Sequence, residues 1–136
     1  MNAIEVVQHN NKAYNAHDAE ALAATYAEGA TYSNPRAGKG LTGKAVANYA
    51  KAVWAAYPDA SVELITVGDT GVGLVAVQWV LRGTNTGTLP DGTPATGRTV
   101  TLPGATFTQV EGDKIHSEKI YFDRQNLFEQ LGLKSK

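Results

Sequence analysis

Residues 74–84 read Leu-Val-Ala-Val-Gln-Trp-Val-Leu-Arg-Gly-Thr, and their alternation decides the fold. Val75, Val77, Trp79 and Leu81 fall on one face at the two-residue period of a β-strand. Leu74, Ala76 and Val80 leave the opposite face largely apolar as well. A sheet with one wet face needs only one apolar side, so this pattern predicts an outer face buried in a homodimer.

The same period recurs on both sides of this stretch. Residues 61–67, 100–110 and 114–122 read as three more strands, with Gly-Asp and Glu-Gly-Asp turn signals between most of them. Before Pro58 the period is helical instead. Ile4, Val7, Asn11 and Tyr14 recur at helical spacing, and the Ala-rich residues 19–27 set Leu22 and Tyr26 one turn apart behind a candidate N-cap, Asp18. Both short helices should stop by Gly29. Residues 31–33 read as a short strand running into the Asn34-Pro35 turn, and the Gly-rich segment to Gly43 reads as loop. A third helix from near Thr42 places Val46, Tyr49, Val53, Trp54 and Tyr57 on one face before Pro58 ends it. At the far end Leu127, Phe128 and Leu131 share a helical face and Gly132 fits the stop.

Helices first and strands second argue the α+β class. The expected architecture is a curved antiparallel sheet wrapped as a cone around three N-terminal helices, with a short C-terminal helix, in a single domain over residues 1–136.

Composition narrows the function. A chain of 136 residues with 43% hydrophobic and 18% charged residues is long enough to bury a core and still enclose a small ligand. The absence of cysteine removes disulfide and thiolate chemistry. A formal net charge of −1 without a basic run gives no footprint for nucleic acid or an anionic membrane. No apolar stretch approaches spanning length and no signal-peptide core opens the chain, so the expected location is cytoplasmic. No Gly-x-Ser-x-Gly elbow, Gly-Lys-Ser/Thr phosphate loop or His-Glu-x-x-His is present, and the histidines lack metal-ligand spacing. No metal and no cofactor are expected.

Four stretches carry a family resemblance: Asn15-Ala16-His17-Asp18, Tyr32-Ser33-Asn34-Pro35, the run Pro94 to Val100 through Thr96-Gly97-Arg98, and the segment Asp123 to Gly132. Together they resemble the SnoaL-like polyketide cyclases, of the superfamily of nuclear transport factor two and ketosteroid isomerase. The resemblance covers nearly the whole chain and implies the cone fold, a pocket between sheet and helices, and dimerisation through the sheet. It also implies that Asp123 is the general acid/base of a cofactor-free aldol ring closure. A carboxyl in an apolar cavity has its charged form disfavoured and can then both give and take a proton. Asp123 is equally a favoured N-cap for the closing helix.

The departures from the family bear on mechanism. Ketosteroid isomerases carry a base aspartate where this chain has Asn34, and an amide abstracts no proton. Their oxyanion tyrosine aligns with Asn11. Some cyclases carry a histidine where this chain has Thr106. On the last strand His116 and Glu118 should share a face, as should Lys119, Tyr121 and Asp123, unless a bulge intervenes. Tyr14, Tyr32, Trp54, Trp79, Phe107 and Tyr121, with Asn34, are the expected walls of a pocket for a small hydrophobic carbonyl compound. Two other readings stand beside acid/base chemistry. One is a non-catalytic ligand-binding or dimerisation module. The other is an epoxide hydrolase, which would need two carboxylates bracketing an arginine.

Overall fold

Asn2 opens the first helix because its side chain accepts the Glu5 amide while the Glu5 carboxylate accepts the Asn2 amide, satisfying two orphan donors at once. The computed structural model describes residues 1–36, 38–41 and 43–134. Helix α1 spans Ala3–Asn15 and α2 spans Ala19–Ala23, the latter capped by Asp18 through the Ala21 amide. Strands β1 (Tyr26–Asn34) and β2 (Gly38–Leu41) precede helix α3 (Gly43–Ala56). Strands β3 (Ser61–Asp69), β4 (Leu74–Thr84), β5 (Thr99–Glu111) and β6 (Lys114–Phe122) follow, and α4 (Arg124–Leu131) closes the chain.

The six strands form one sheet in the order β2-β1-β6-β5-β4-β3. Its right-hand part is an antiparallel meander in chain order, as the turn signals require. One pair departs from the antiparallel expectation. Strand β1 runs parallel to β6, because the whole chain from α3 onward separates the two and brings β6 back beside β1 in the same direction. Two further differences concern this edge. Helix α2 ends at Ala23 rather than near residue 27, and β1 takes over from Tyr26, where its pairing with β6 outweighs the helix propensity of an alanine-rich stretch. Residues 38–41, read as loop, form an edge strand on β1. The expected helix start at Thr42 lies outside the described residues.

Helix α1 lies against β3, and α3 lies against β1 and α2, so the inner face of the sheet is the one that meets helices. Val75, Val77, Val100, Leu102, Val110 and Ile115 are buried there with Val6, Leu22, Val46 and Val53 from the helices. Trp79 faces Gly104 in register across β4 and β5, and a β-carbon at Gly104 would run into the indole. Glycine at that position lets the ring lie flat along the sheet. The indole nitrogen then donates to Thr106 Oγ1 at 2.7 Å. Gly132 ends α4 in a left-handed conformation (φ 73°), with the Leu133 amide donating to the Phe128 carbonyl.

Register breaks bend the sheet. In β3 the pairing shifts between Leu64 and Thr66. In β6, Gln109 pairs with Ser117 but Val110 pairs with Ile115, which leaves His116 as the extra residue of a bulge. Among the described residues no helix is long and apolar enough to cross a membrane.

Candidate functional site

Between the inner face of the sheet and the helices lies a cavity of about 180 Å³. Its wall is mostly aliphatic and aromatic. Tyr14 comes from α1, Tyr26 and Tyr32 from β1, Tyr49 from α3, and Trp79 from β4. Among the described residues the lining contains one carboxyl group, Glu118, and one cationic side chain, Arg36.

Glu118 owes its position to the bulge in β6. In a regular strand it would share a face with His116. The extra residue turns the alternation over, so that Ile115 and Glu118 are both buried while His116 is exposed and pairs with Glu111 at 3.2 Å. From Glu118 onward the strand alternates normally, with Ile120 and Phe122 also lining the cavity. A carboxyl group thus stands in line with the apolar face of its strand. It is 7% exposed.

Two hydroxyls hold it. Tyr26 donates to Glu118 Oε1 at 2.7 Å, and Thr108 Oγ1 donates to Oε2 at 3.3 Å. Burial pushes the Glu118 pKa above the ordinary carboxylate value, and the two hydrogen bonds oppose that shift without overcoming it. The phenol of Tyr26 is driven well upward, first by burial and then by the facing carboxylate. Glu118 is therefore a carboxyl group whose charged form burial disfavours, held by two hydroxyl donors.

Tyr32 is the registered partner of Glu118 across the parallel β1–β6 pair. Its oxygen accepts a hydrogen bond from Asn34 Nδ2 at 2.9 Å, which leaves the phenolic proton available to another acceptor. Burial keeps this phenol protonated, with the Glu118 charge acting in the same direction. Asn34 has a second task. Its Oδ1 accepts the Arg36 amide at 2.7 Å, closing the turn that carries Arg36 to the cavity wall. Two asparagines of α1 also line the cavity. Asn10 donates to Thr25 Oγ1 at 2.8 Å and Asn11 to the Val62 carbonyl at 3.2 Å.

Of the residues expected at the site, Tyr14, Tyr32, Asn34 and Trp79 line the cavity together. Four lie elsewhere. Trp54 is buried behind the wall, edge-on to Tyr14 and stacked on His17 with centroids 4.9 Å apart. Phe107 and Tyr121 are 43% and 55% exposed on the outer face of the sheet, where their rings meet edge to face. Asp123 is exposed and caps α4, accepting the Asn126 amide at 3.1 Å. The alternation that points Glu118 inward points Lys119 and Tyr121 outward, and Asp123 continues that outer series. The expectation that Asp123 lines the pocket is corrected by this phase. Glu118 was legible only as one half of a pair with His116. The signal that identifies it is the series Glu118, Ile120, Phe122, a carboxyl in step with an apolar face.

Comparison with known proteins agrees with this fold. The family profile described as SnoaL-like polyketide cyclase matches residues 4–131. The chain belongs to that family. No curated protein matches it in sequence. Solved structures share the fold closely. IdmH from Streptomyces antibioticus, a candidate polyketide cyclase, is 23% identical with a TM-score of 0.85, over 98% of this chain and 100% of its own. A candidate polyketide cyclase from Xanthomonas campestris is 25% identical with a TM-score of 0.84, over 95% of this chain and 96% of its own. A protein from Catenulispora acidiphila with a ketosteroid isomerase-like fold, solved with trimethylamine, is 21% identical with a TM-score of 0.80, over 96% and 94%.

Proposed function

We propose that this protein binds a small hydrophobic carbonyl compound in the cone cavity and moves a proton on it without a cofactor, with Glu118 as the acid/base. The observation that carries the reading is the placement of one raised-pKa carboxyl group in an otherwise aliphatic and aromatic cavity. In its ionised form Glu118 takes a proton from the carbon next to a carbonyl, and the C–H electron pair moves onto the carbonyl oxygen. Tyr32 donates its free O–H to the enolate oxygen. The enolate carbon then attacks a second carbonyl of the same molecule, and Glu118 returns the proton to the alkoxide formed. Reprotonation at another carbon would give an isomerisation through the same groups. Asp123 is reassigned from this role to that of a helix cap.

The epoxide hydrolase reading loses support, since it needs two carboxylates and the described lining supplies one. The binding-module reading makes a different prediction about chemistry. The test is hydrogen–deuterium exchange at C1 of 2-tetralone in D2O, followed by NMR. Exchange faster than buffer in the parent protein, reduced about a hundredfold to ten-thousandfold in a folded Glu118→Gln variant, supports the assignment. Binding of the ketone with no acceleration of exchange would leave a binding module.

We also propose a homodimer formed through the outer face of the sheet. The support is the pair of exposed aromatic rings, Phe107 and Tyr121, beside Val80, Pro103 and Ala105 on the same face.

A further inference from the structure

Arg36 is the one charged side chain of the described lining that proton transfer through Glu118 does not use. Its side chain is only 12% exposed, a depth at which a guanidinium loses most of its hydration. The fold supplies incomplete compensation. Asp91, 42% exposed on the β4–β5 connection, approaches at 3.6 Å, beyond hydrogen-bonding distance. The ring of Phe128 lies beneath the guanidinium at 5.1 Å and fixes its plane. Among the described residues no oxygen accepts a hydrogen bond from the Arg36 side chain, although it has five N–H donors. Its charge is felt by the phenols of Tyr49 and Tyr57, where it opposes the upward push of burial.

A planar, oriented cation with unused donors on a cavity wall suits a planar anion with two acceptor oxygens. Geometry sets its distance from the acid/base. Tyr32 is in register with Glu118, and Arg36 follows Tyr32 by four residues, so the backbone of Arg36 stands at most about 13 Å from that of Tyr32. Pro90, which precedes Asp91, is an exposed residue of the same lining. The cavity is therefore polarised, with a cation on one part of its wall and a carboxyl group on another.

We propose that Arg36 reads a carboxylate on the ligand, so that the natural substrate is an amphipathic carboxylic acid, its acid group against Arg36 and its reacting carbonyl carbon toward Glu118. The proposal rests on the cavity being the ligand site described above. Binding replaces the long contact to Asp91 with two direct hydrogen bonds to the ligand. A neutral carbonyl compound of the same shape accepts a single uncharged hydrogen bond there and lacks the charge and the second oxygen that match the guanidinium.

The test uses 2-naphthoate and its neutral isostere 2-naphthamide, with affinities read from tryptophan fluorescence or calorimetry at pH 7.5. The parent protein is expected to bind naphthoate at least about tenfold more tightly than naphthamide. Arg36→Met should abolish that preference, weakening naphthoate far more than naphthamide. Asp91→Asn, at an exposed position, should tighten naphthoate about threefold or more and leave naphthamide unchanged, because it removes the competing carboxylate. Naphthamide binding with no preference for naphthoate, or a preference that survives in Arg36→Met, or an Asp91→Asn variant that weakens naphthoate, overturns the carboxylate reading alone. Failure of both compounds to bind at millimolar concentration overturns it together with the cavity as ligand site.

Discussion

Tyr26 and Glu118, ninety-two residues apart in sequence, share a buried 2.7 Å hydrogen bond that joins the first strand of the sheet to its last. The bond ties β1, the sheet neighbour of β6, to the residue on which the proposed chemistry depends. It also sets how readily that residue ionises, because hydrogen bonding to the carboxylate opposes the effect of burial.

Tyr26→Phe removes the donor and leaves an acceptor buried. The expected cost is about 1–3 kcal/mol of stability when Glu118 is ionised, measured by urea denaturation at pH 8. The Glu118 pKa should move further upward, since one of the two groups holding it down is gone. Carbon-13 NMR titration of labelled glutamate would follow that shift. An unchanged Glu118 titration would show that the Tyr26 contact does not govern the ionisation.

Glu118 also makes stability depend on pH, with a definite sign. Its folded pKa lies above its unfolded value, so the protonated group contributes stability below the unfolded value and that contribution is lost as pH rises through the folded pKa. Glutamine mimics the protonated form and does not titrate. Glu118→Gln should match the parent in melting temperature near pH 4 and exceed it at pH 8. The gap should open between the ordinary glutamate value and the raised one. A parent-minus-variant difference that is flat with pH would contradict the burial argument.

The same pair of residues shows how far the fold and site are legible in the sequence. Strands β3 to β6 declare themselves, because alternating apolar residues bounded by glycine turns admit little else. The start of β1 does not. Residues 23–30 are rich in alanine, and only pairing with β6, remote in sequence, turns them into strand. Residues 38–41, Gly-Lys-Gly-Leu, have no alternation to read. For the site, the walls Tyr14, Tyr32, Asn34 and Trp79 follow from periodicity and turn chemistry. The carboxyl does not follow so directly, because a one-residue bulge at His116 inverts which side chains face inward. Counting forward from His116 places Glu118 with an exposed histidine. Counting back from Phe122 through Ile120 places it in the core.

Asp123 separates capping from chemistry. Its carboxylate accepts the Asn126 amide at the N-terminus of α4, and asparagine can make the same bond. Asp123→Asn should therefore keep both the melting temperature and any α-carbon exchange activity of the parent. Asp123→Ala should lose about 1 kcal/mol of stability with activity retained in the folded fraction. A folded Asp123→Asn protein with exchange reduced a hundredfold would return the acid/base role to Asp123.

The outer face of the sheet carries the prediction about assembly. Phe107 and Tyr121 meet edge to face on adjacent strands, and both are substantially exposed in one chain. Lys119, opposite Phe107 in the β5–β6 register, is the one lysine of β6 on that face beside the aromatic pair. In a homodimer built on this face the rings are covered and contribute through apolar area. Phe107→Lys puts a second cation beside Lys119 at the centre of the interface, where an unpaired buried charge costs several kcal/mol. The substitution is far less costly in an isolated chain, because position 107 then faces water. Light scattering at micromolar concentration should give twice the chain mass for the parent and the chain mass for Phe107→Lys, with circular dichroism unchanged. A parent protein that is monomeric under these conditions would remove the assembly proposal, and would leave the apolar outer face of β4 and β5 without a partner.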